Sequence, residues 1–341
     1  MTEMNIPKIT PAKWVDYAEM VARAGLTLMT WGPSGAGKSD LAAQLVPRLK
    51  LDSMTDIRLA IKDPSDLKGV PVPDLQAGYV RWLRDQGLPT DPNAKVLINF
   101  DEINQPSPII QAMAYQLILD RKLGDYEIPK GCVIVAAGNR VSDRGVVSQM
   151  PAPLRSRMWH CELKVDVDDF CAWAVKPEND IIPELISFVR WKPDQLHDFE
   201  PDMTAYPTPR TIAMLSKLLK RGAPADMEFA LAEGMCGRGF AIEYTGFLKV
   251  YRTLPNIKKI LTDPDSVDVP TDPCTLYALA SALARQADAG NMDNVIKFAK
   301  RLGREFQLLL LTDISVRDKK LGQNKSFIAL NCELQTIASN G

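Results

Sequence analysis

The stretch GPSGAGKS, residues 32–39, fits the spacing G-x-x-x-x-G-K-[ST] and lies between an apolar run and the start of a helical one. Those flanks are the context a phosphate-binding loop requires. Gly32, Gly35 and Gly37 let the backbone curl so that its N–H groups face phosphate oxygens. Lys38 places a point charge on the outer phosphates, and Ser39 supplies a hydroxyl for Mg²⁺. The helix N-terminus adds favourable partial charge. Pro33, Ser34, Ala36 and Asp40 complete the loop and its first helical turn, so 32–40 is the candidate nucleotide-binding segment.

A second centre is VLINFDEIN, 96–104, an apolar strand ending in two carboxylates. Asp101 at the strand tip is placed to hold Mg²⁺ through water. Glu102 is placed to polarise a water for attack on a γ-phosphate. The plainer alternative is a strand ending in two solvated acids; the phosphate loop upstream weighs against it. The guanine signature N-K-x-D is absent, since NKSF at 324–327 has Phe327 in the last position. ATP is therefore the expected nucleotide. CVIVAAGNR, 132–140, is another apolar strand, ending in Asn139. Its carboxamide either orients water or γ-phosphate, or caps a strand-end turn. Finally PAPLRSRMWH, 151–160, carries Arg155 and Arg157 with no acid between them; the next carboxylate downstream is Glu162.

These residues need a scaffold that brings several strand tips together. ITPAKWVDYAEMVARAG reads as a helix, with Thr10 as N-cap, Pro11 at the first position and Gly25 closing it. LTLMTW (26–31), IRLAI (57–61), VLINF (96–100) and CVIVAAG (132–138) read as strands, with MWHCEL following the arginines. A helix is expected over 108–122. Near-continuous apolar strands alternating with helices predict an α/β domain with a parallel five-stranded sheet covered on both faces. Segment 63–95 is a long irregular insert, of the kind that usually carries function. After about residue 165 the pattern turns helical. The sequence predicts an α/β domain over 1–165, a helical lid over 166–260, a proline- and aspartate-rich linker over 261–274, and a C-terminal helical segment over 275–341.

Composition narrows the class. The 341 residues are 46% hydrophobic and 24% charged with a net charge of −1, so no global basic field points to nucleic acid. Six scattered cysteines and two histidines do not form a zinc pattern. No apolar run approaches the roughly 18 residues that span a bilayer. The N-terminus has no apolar signal-like stretch, and a cytoplasmic protein with reduced thiols is expected.

The order of phosphate loop, Asp-Glu strand, Asn-tipped strand and arginines before a last strand resembles AAA+ ATPases, and within them the MoxR branch. The carrying residues are GPSGAGKS, DPSDLKGVPVPD (63–74), FDEINQPSPIIQAM (100–113), GNR (138–140), PLRSRM (153–158) and PTPRTI (207–212). The resemblance spans about residues 10–255. It implies that Asn139 is sensor 1 and that Arg210 is sensor 2 on a lid helix. It implies that Arg157, and second to it Arg155, is an arginine finger acting on ATP held by a neighbouring subunit. Arg140 and Arg144 are further interface cations. A homo-oligomeric ring of six subunits follows, as does a protein partner carrying a von Willebrand factor A domain. The insert matches one that handles substrate in such proteins: Tyr79, Arg81, Trp82 and Arg84 either grip a chain or pack the insert onto the domain. LILDRKLGDYEIP, 117–129, resembles the hairpin before sensor 1. Three other functions stay open: a nucleic-acid motor of the McrB or RuvB kind, a nucleotide-gated assembly switch with little turnover, and a small-molecule kinase.

Overall fold

Four apolar runs pair side by side because each buries both faces. In the computed structural model, which describes residues 5–76, 78–83, 87–140, 150, 152–199 and 203–339, the chain divides into two compact units, 1–165 and 166–341.

The first unit contains, in chain order, β1 (Lys8–Ile9), α1 (Pro11–Arg23), β2 (Thr27–Trp31), α2 (Lys38–Arg48), β3 (Ser53–Arg58), α3 (Pro64–Lys68), β4 (Val70–Asp74), β5 (Tyr79–Leu83), β6 (Val96–Asp101), α4 (Pro108–Asp120), β7 (Lys122–Leu123), β8 (Tyr126–Glu127), β9 (Val133–Gly138), α5 (Ala152–Arg155) and β10 (Met158–Leu163). The main sheet is parallel throughout, in the order β1-β10-β2-β9-β6-β3. It is thus the expected parallel α/β sheet with a sixth strand added. β1 is only two residues long, too short to leave a periodic signal, and pairs Lys8 with Glu162 and Ile9 with Leu163.

The second strand corrects the sequence expectation. IRLAI spans a boundary: β3 ends at Arg58, and Leu59–Ile61 forms a 3₁₀ turn. β3 lies at the sheet edge and pairs in six-residue register with β6, Ser53 opposite Val96 through Arg58 opposite Asp101. An edge strand has one open side, so it tolerates Ser53, Thr55 and Asp56, and a search for an unbroken apolar run misses its start. Elsewhere the apolar patterns translate directly. Trp14, Val15, Ala18 and Val21 of α1 are buried on one face, and Trp14 Nε1 donates to Thr30 Oγ1 at 2.9 Å.

The insert is ordered locally. Asp63 and Asp66 form a capping box on α3, and β4 and β5 make an antiparallel hairpin. Leu67 and Leu88 pack the base of the insert into the core of the first unit, whereas in the hairpin Val70, Val72, Tyr79, Val80 and Leu83 are exposed. Arg81 pairs with Asp74 at 2.8 Å, and Lys68 Nζ lies 4.2 Å from the Trp82 ring centroid. Arg84 lies outside the described residues. Lys122–Leu123 and Tyr126–Glu127 form the second small hairpin.

The second unit is helical: α6 (Val167–Ala174), α7 (Pro183–Trp191), α8 (Pro209–Leu219), α9 (Glu228–Cys236), α10 (Arg238–Tyr251), α11 (Ile257–Thr262), α12 (Pro273–Gln286), α13 (Met292–Ala299), α14 (Arg304–Arg317) and α15 (Lys325–Ser339). Phe188 is its aromatic hub, with Phe240, Tyr244 and Phe247 ring centroids at 5.1, 5.3 and 5.6 Å. Residues 261–274 are not a free linker. Ile260 and Val267 are buried in one core with Leu279, Leu283, Phe298 and Leu310. The prolines and aspartates there work as local punctuation: Pro264 opens a 3₁₀ turn, and Asp272 caps α12 through a 2.8 Å bond from Thr275 N–H. The C-terminal helices share this unit with α6–α10 rather than forming a segment apart.

Candidate nucleotide site

The parallel sheet delivers the C-terminal ends of β2, β9 and β6 to one edge. Trp31 is level with Gly138, and Phe100 with Ala136. In open α/β sheets this edge is where ligands bind. Gly32 continues β2 and its N–H donates to Gly138 O at 3.2 Å. A Cβ on Gly32 would lie 3.2 Å from Leu163 Cβ, so the loop starts in tight packing. Gly35 and Gly37 take φ of 77° and 87°, the left-handed region that glycine enters without strain. Gly37 caps α2 without a side-chain bond. The first-turn N–H groups of α2 therefore donate to no N-cap side chain and are suited to an anion. Pro33, Gly35 and Ala36 are buried, while Ser34 and Asp40 are exposed.

Lys38 Nζ donates to Gly32 O at 2.8 Å, Pro33 O at 3.0 Å and Asn139 Oδ1 at 3.0 Å. Ser39 Oγ donates to Asp101 Oδ2 at 3.3 Å. Asp101 Oδ1 accepts the N–H of Glu102 at 2.9 Å. Glu102 is held at φ 57°, a costly conformation for a side chain of this type and one that clusters at functional sites. Four sequence candidates from three separate segments thus touch, with Glu102 adjoining.

Asn104, two residues beyond Glu102, has a role that its sequence position does not signal. Its side chain is 1% exposed. It donates from Nδ2 to Asn139 O at 2.8 Å and accepts from Asn139 N–H at 3.3 Å. This two-way bond fixes the backbone of Asn139. A Cβ on Gly138 would fall 2.9 Å from Asn104 Oδ1 and 2.8 Å from Met29 Cε, so the clamp needs glycine there. Asp56 is a second residue without a sequence signal. It accepts from Asn99 Nδ2 at 2.7 Å, and burial, reinforced by the charge of Asp101, raises its pKa even though the Asn99 bond opposes this.

Ser39 and Asp101 fit Mg²⁺. Both are hard oxygen donors in contact, and this ion keeps waters and phosphate oxygens as its other ligands. No group of three or more His, Cys, Asp or Glu that could cage a metal occurs among the described residues.

Arg155 ends α5 and Arg157 lies in the turn before β10, held by its N–H to Leu154 O at 3.1 Å. Both are exposed, and among the described residues neither is paired with a carboxylate. Arg140 differs: its Nη1 lies 2.9 Å from Glu162 Oε1. Arg144 lies outside the described residues. Arg210 is exposed in the first turn of α8, in the second unit, behind a Thr208–Thr211 capping box.

No family model matches the chain, and no curated protein matches it. Among solved structures it is similar to a mutant of Thermotoga maritima RuvB, with 17% identity over 80% of this chain and 79% of that one and a TM-score of 0.36. It is also similar to NtrX from Brucella abortus in complex with ADP, with 14% identity over 96% of this chain and 68% of that one and a TM-score of 0.41. At such scores neither likeness bears on what the site does, which is left to the contacts of Lys38, Ser39, Asp101, Glu102 and Asn139.

Proposed function

We propose that the chain is a Mg²⁺-dependent ATPase of the AAA+ type, resembling the MoxR branch. The contact that supports this most is Lys38 Nζ on Asn139 Oδ1, beside Ser39 on Asp101. One glycine-rich loop thereby meets the tips of two further strands. A turn that merely closed a strand–helix junction would have no need of them.

In this reading the loop N–H groups and Lys38 take the β- and γ-phosphates. Lys38 exchanges its carbonyl partners for phosphate oxygens. Ser39 and Asp101 would hold Mg²⁺, which would supply positive charge to the phosphate oxygens. Asn139, fixed by Asn104, orients the γ-phosphate or the attacking water. Glu102 accepts the proton of that water as its oxygen bonds to the γ-phosphorus. The bond to the bridging oxygen breaks and ADP leaves. Arg157, with Arg155 beside it, reaches the ATP of a neighbouring subunit in a homo-oligomeric ring, most simply of six, and Arg210 serves ATP from the lid. The work is done on a protein partner bearing a von Willebrand factor A domain, in the cytoplasm.

The test is ATP turnover against protein concentration. Specific activity should rise as subunits assemble, and Glu102→Gln should bind ATP, assemble and not hydrolyse. Turnover independent of concentration would remove the ring. Turnover retained by Glu102→Gln would remove the assigned base.

A further inference from the structure

His160 lies on β10, in register with Met29 of β2, and its ring lies edge to edge with that of Trp31, the residue immediately before the phosphate loop, the two ring planes within 12° of each other. Trp31 Nε1 lies 3.1 Å from His160 Nδ1. On the other side of the ring, His160 Nε2 lies 2.8 Å from the carbonyl oxygen of Arg155. These two contacts fix the protonation state. An indole N–H only donates, so Nδ1 must offer its lone pair. A carbonyl only accepts, so Nε2 must carry the hydrogen. Both bonds exist together only in the neutral imidazole protonated at Nε2. A second proton, on Nδ1, would set two N–H donors against each other.

The ring therefore ties the strand feeding the phosphate loop to the segment that carries Arg155 and Arg157. We propose that His160 is a positioning residue for this arginine pair, and that its protonation releases the pair from the loop and slows ATP turnover. The proposal rests on the reading of Arg155 and Arg157 as groups that serve ATP. The environment favours the neutral ring. From α5, the charged group facing it is Arg155. β2 contributes Met29 and Trp31, neither of which is charged, and β1 is opposite Glu162 and Leu163 rather than His160. Burial, with the Arg155 charge adding to it, lowers the imidazole pKa against the opposing carbonyl bond.

The chain has two histidines, so ¹⁵N-histidine spectra of the full chain read His160 directly, with His160→Gln giving the assignment. The expected result is a neutral ring protonated at Nε2 that titrates below the ordinary range near 6.5. A ring protonated at Nδ1 would overturn the bridge. In turnover assays His160→Phe keeps an aromatic ring beside Trp31 and loses both bonds. It should lower kcat by about tenfold or more with little change in KM, because small misplacements of a catalytic group are costly. His160→Gln retains a donor for the Arg155 carbonyl and cannot be protonated. It should restore most of the turnover and lose the part of the acid limb that follows the imidazole titration in the wild-type spectra, leaving the limb that belongs to Glu102. An unchanged kcat in His160→Phe, or an acid limb in His160→Gln at the same pH as in the wild type, would overturn the proposal; the second result decides if His160→Phe does not fold. If Arg155→Ala and Arg157→Ala are also fully active, the finger reading itself has failed. If they are inactive while His160→Phe is not, only the positioning role has failed.

Discussion

Arg190 and the pair Arg155 and Arg157 show two ways for this chain to hold a guanidinium. Arg190, on α7, faces Asp313 of α14 through two parallel bonds, Nη1 to Oδ2 at 2.5 Å and Nη2 to Oδ1 at 2.6 Å. Their side chains are 7% and 3% exposed. Burial pulls the Arg190 pKa down, but the bonds to Asp313 outweigh it and hold the group above its ordinary value. Cys171 beside them is fully buried, and its thiol is pushed up to about 12. Arg155 and Arg157 sit in water with no such partner among the described residues. A buried cation must be matched by an anion of its own chain, because desolvation is too expensive otherwise. An exposed one can remain uncommitted at little cost, and so is available to an anion that arrives later.

The largest expected effect tests the uncommitted pair. Arg157→Ala should reduce ATP turnover by about 10³–10⁵, the scale seen when an arginine finger is removed, with Arg155→Ala milder. Thermal unfolding of both variants should match the unaltered chain, because exposed charges contribute little to stability. Wild-type turnover in Arg157→Ala would break the comparison on its functional side.

The committed arginine should behave in the opposite way. Arg190→Ala leaves Asp313 charged and buried, and should cost about 3–5 kcal/mol in urea unfolding. Replacing both partners by apolar side chains, Arg190→Met with Asp313→Leu, should recover most of that loss. If the double variant were as unstable as the single one, the pair would be supplying more than mutual neutralisation.

The same physical distinction separates what was legible in the sequence from what was not. Glycine spacing, an apolar strand before it and paired acids after a second strand are short-range signals, and they single out Lys38, Ser39, Asp101 and Glu102 as candidates, of which Ser39 and Asp101 touch in the fold. Interior strands were visible because both faces are buried. The edge strand β3 was misplaced, because one open side frees its sequence from that requirement. Asn104, Asp56 and His160 act across chain separations of 35, 43 and 129 residues, in their bonds to Asn139, Asn99 and Trp31. Such pairings have no spacing rule, and only the folded register shows them. Segment 261–274 departs from a linker for another reason: proline and aspartate mark helix caps as readily as free chain, and Val267 between them is buried.

Asn104 offers a middle-sized test. It is buried like Arg190 yet belongs to the site like Lys38. Asn104→Ala leaves the Asn139 N–H and carbonyl without that partner, and should cost about 1–3 kcal/mol of stability. Turnover should fall as well, because Asn139 loses the clamp that aims it at Lys38. A stability loss with unaltered kcat would place Asn104 with Arg190, as a residue of the scaffold alone.

The smallest effect comes from His160, which is committed only while neutral. Its folded pKa lies below the ordinary histidine value, so the unfolded chain binds the proton first as pH falls. By linkage, this group's contribution to stability is fully present above about pH 6.5 and declines as pH drops from there toward the folded pKa. His160→Gln should flatten that part of the stability profile, leaving any remaining slope to other groups. An unchanged slope would mean that the imidazole is as easily protonated in the folded chain as in the unfolded one. Burial, with the charge of Arg155 adding to it, would then not be holding it neutral. A positive result would mark a third way of managing charge beside the other two: exclusion of the cation altogether, at the point where the phosphate loop meets the segment carrying the uncommitted arginines.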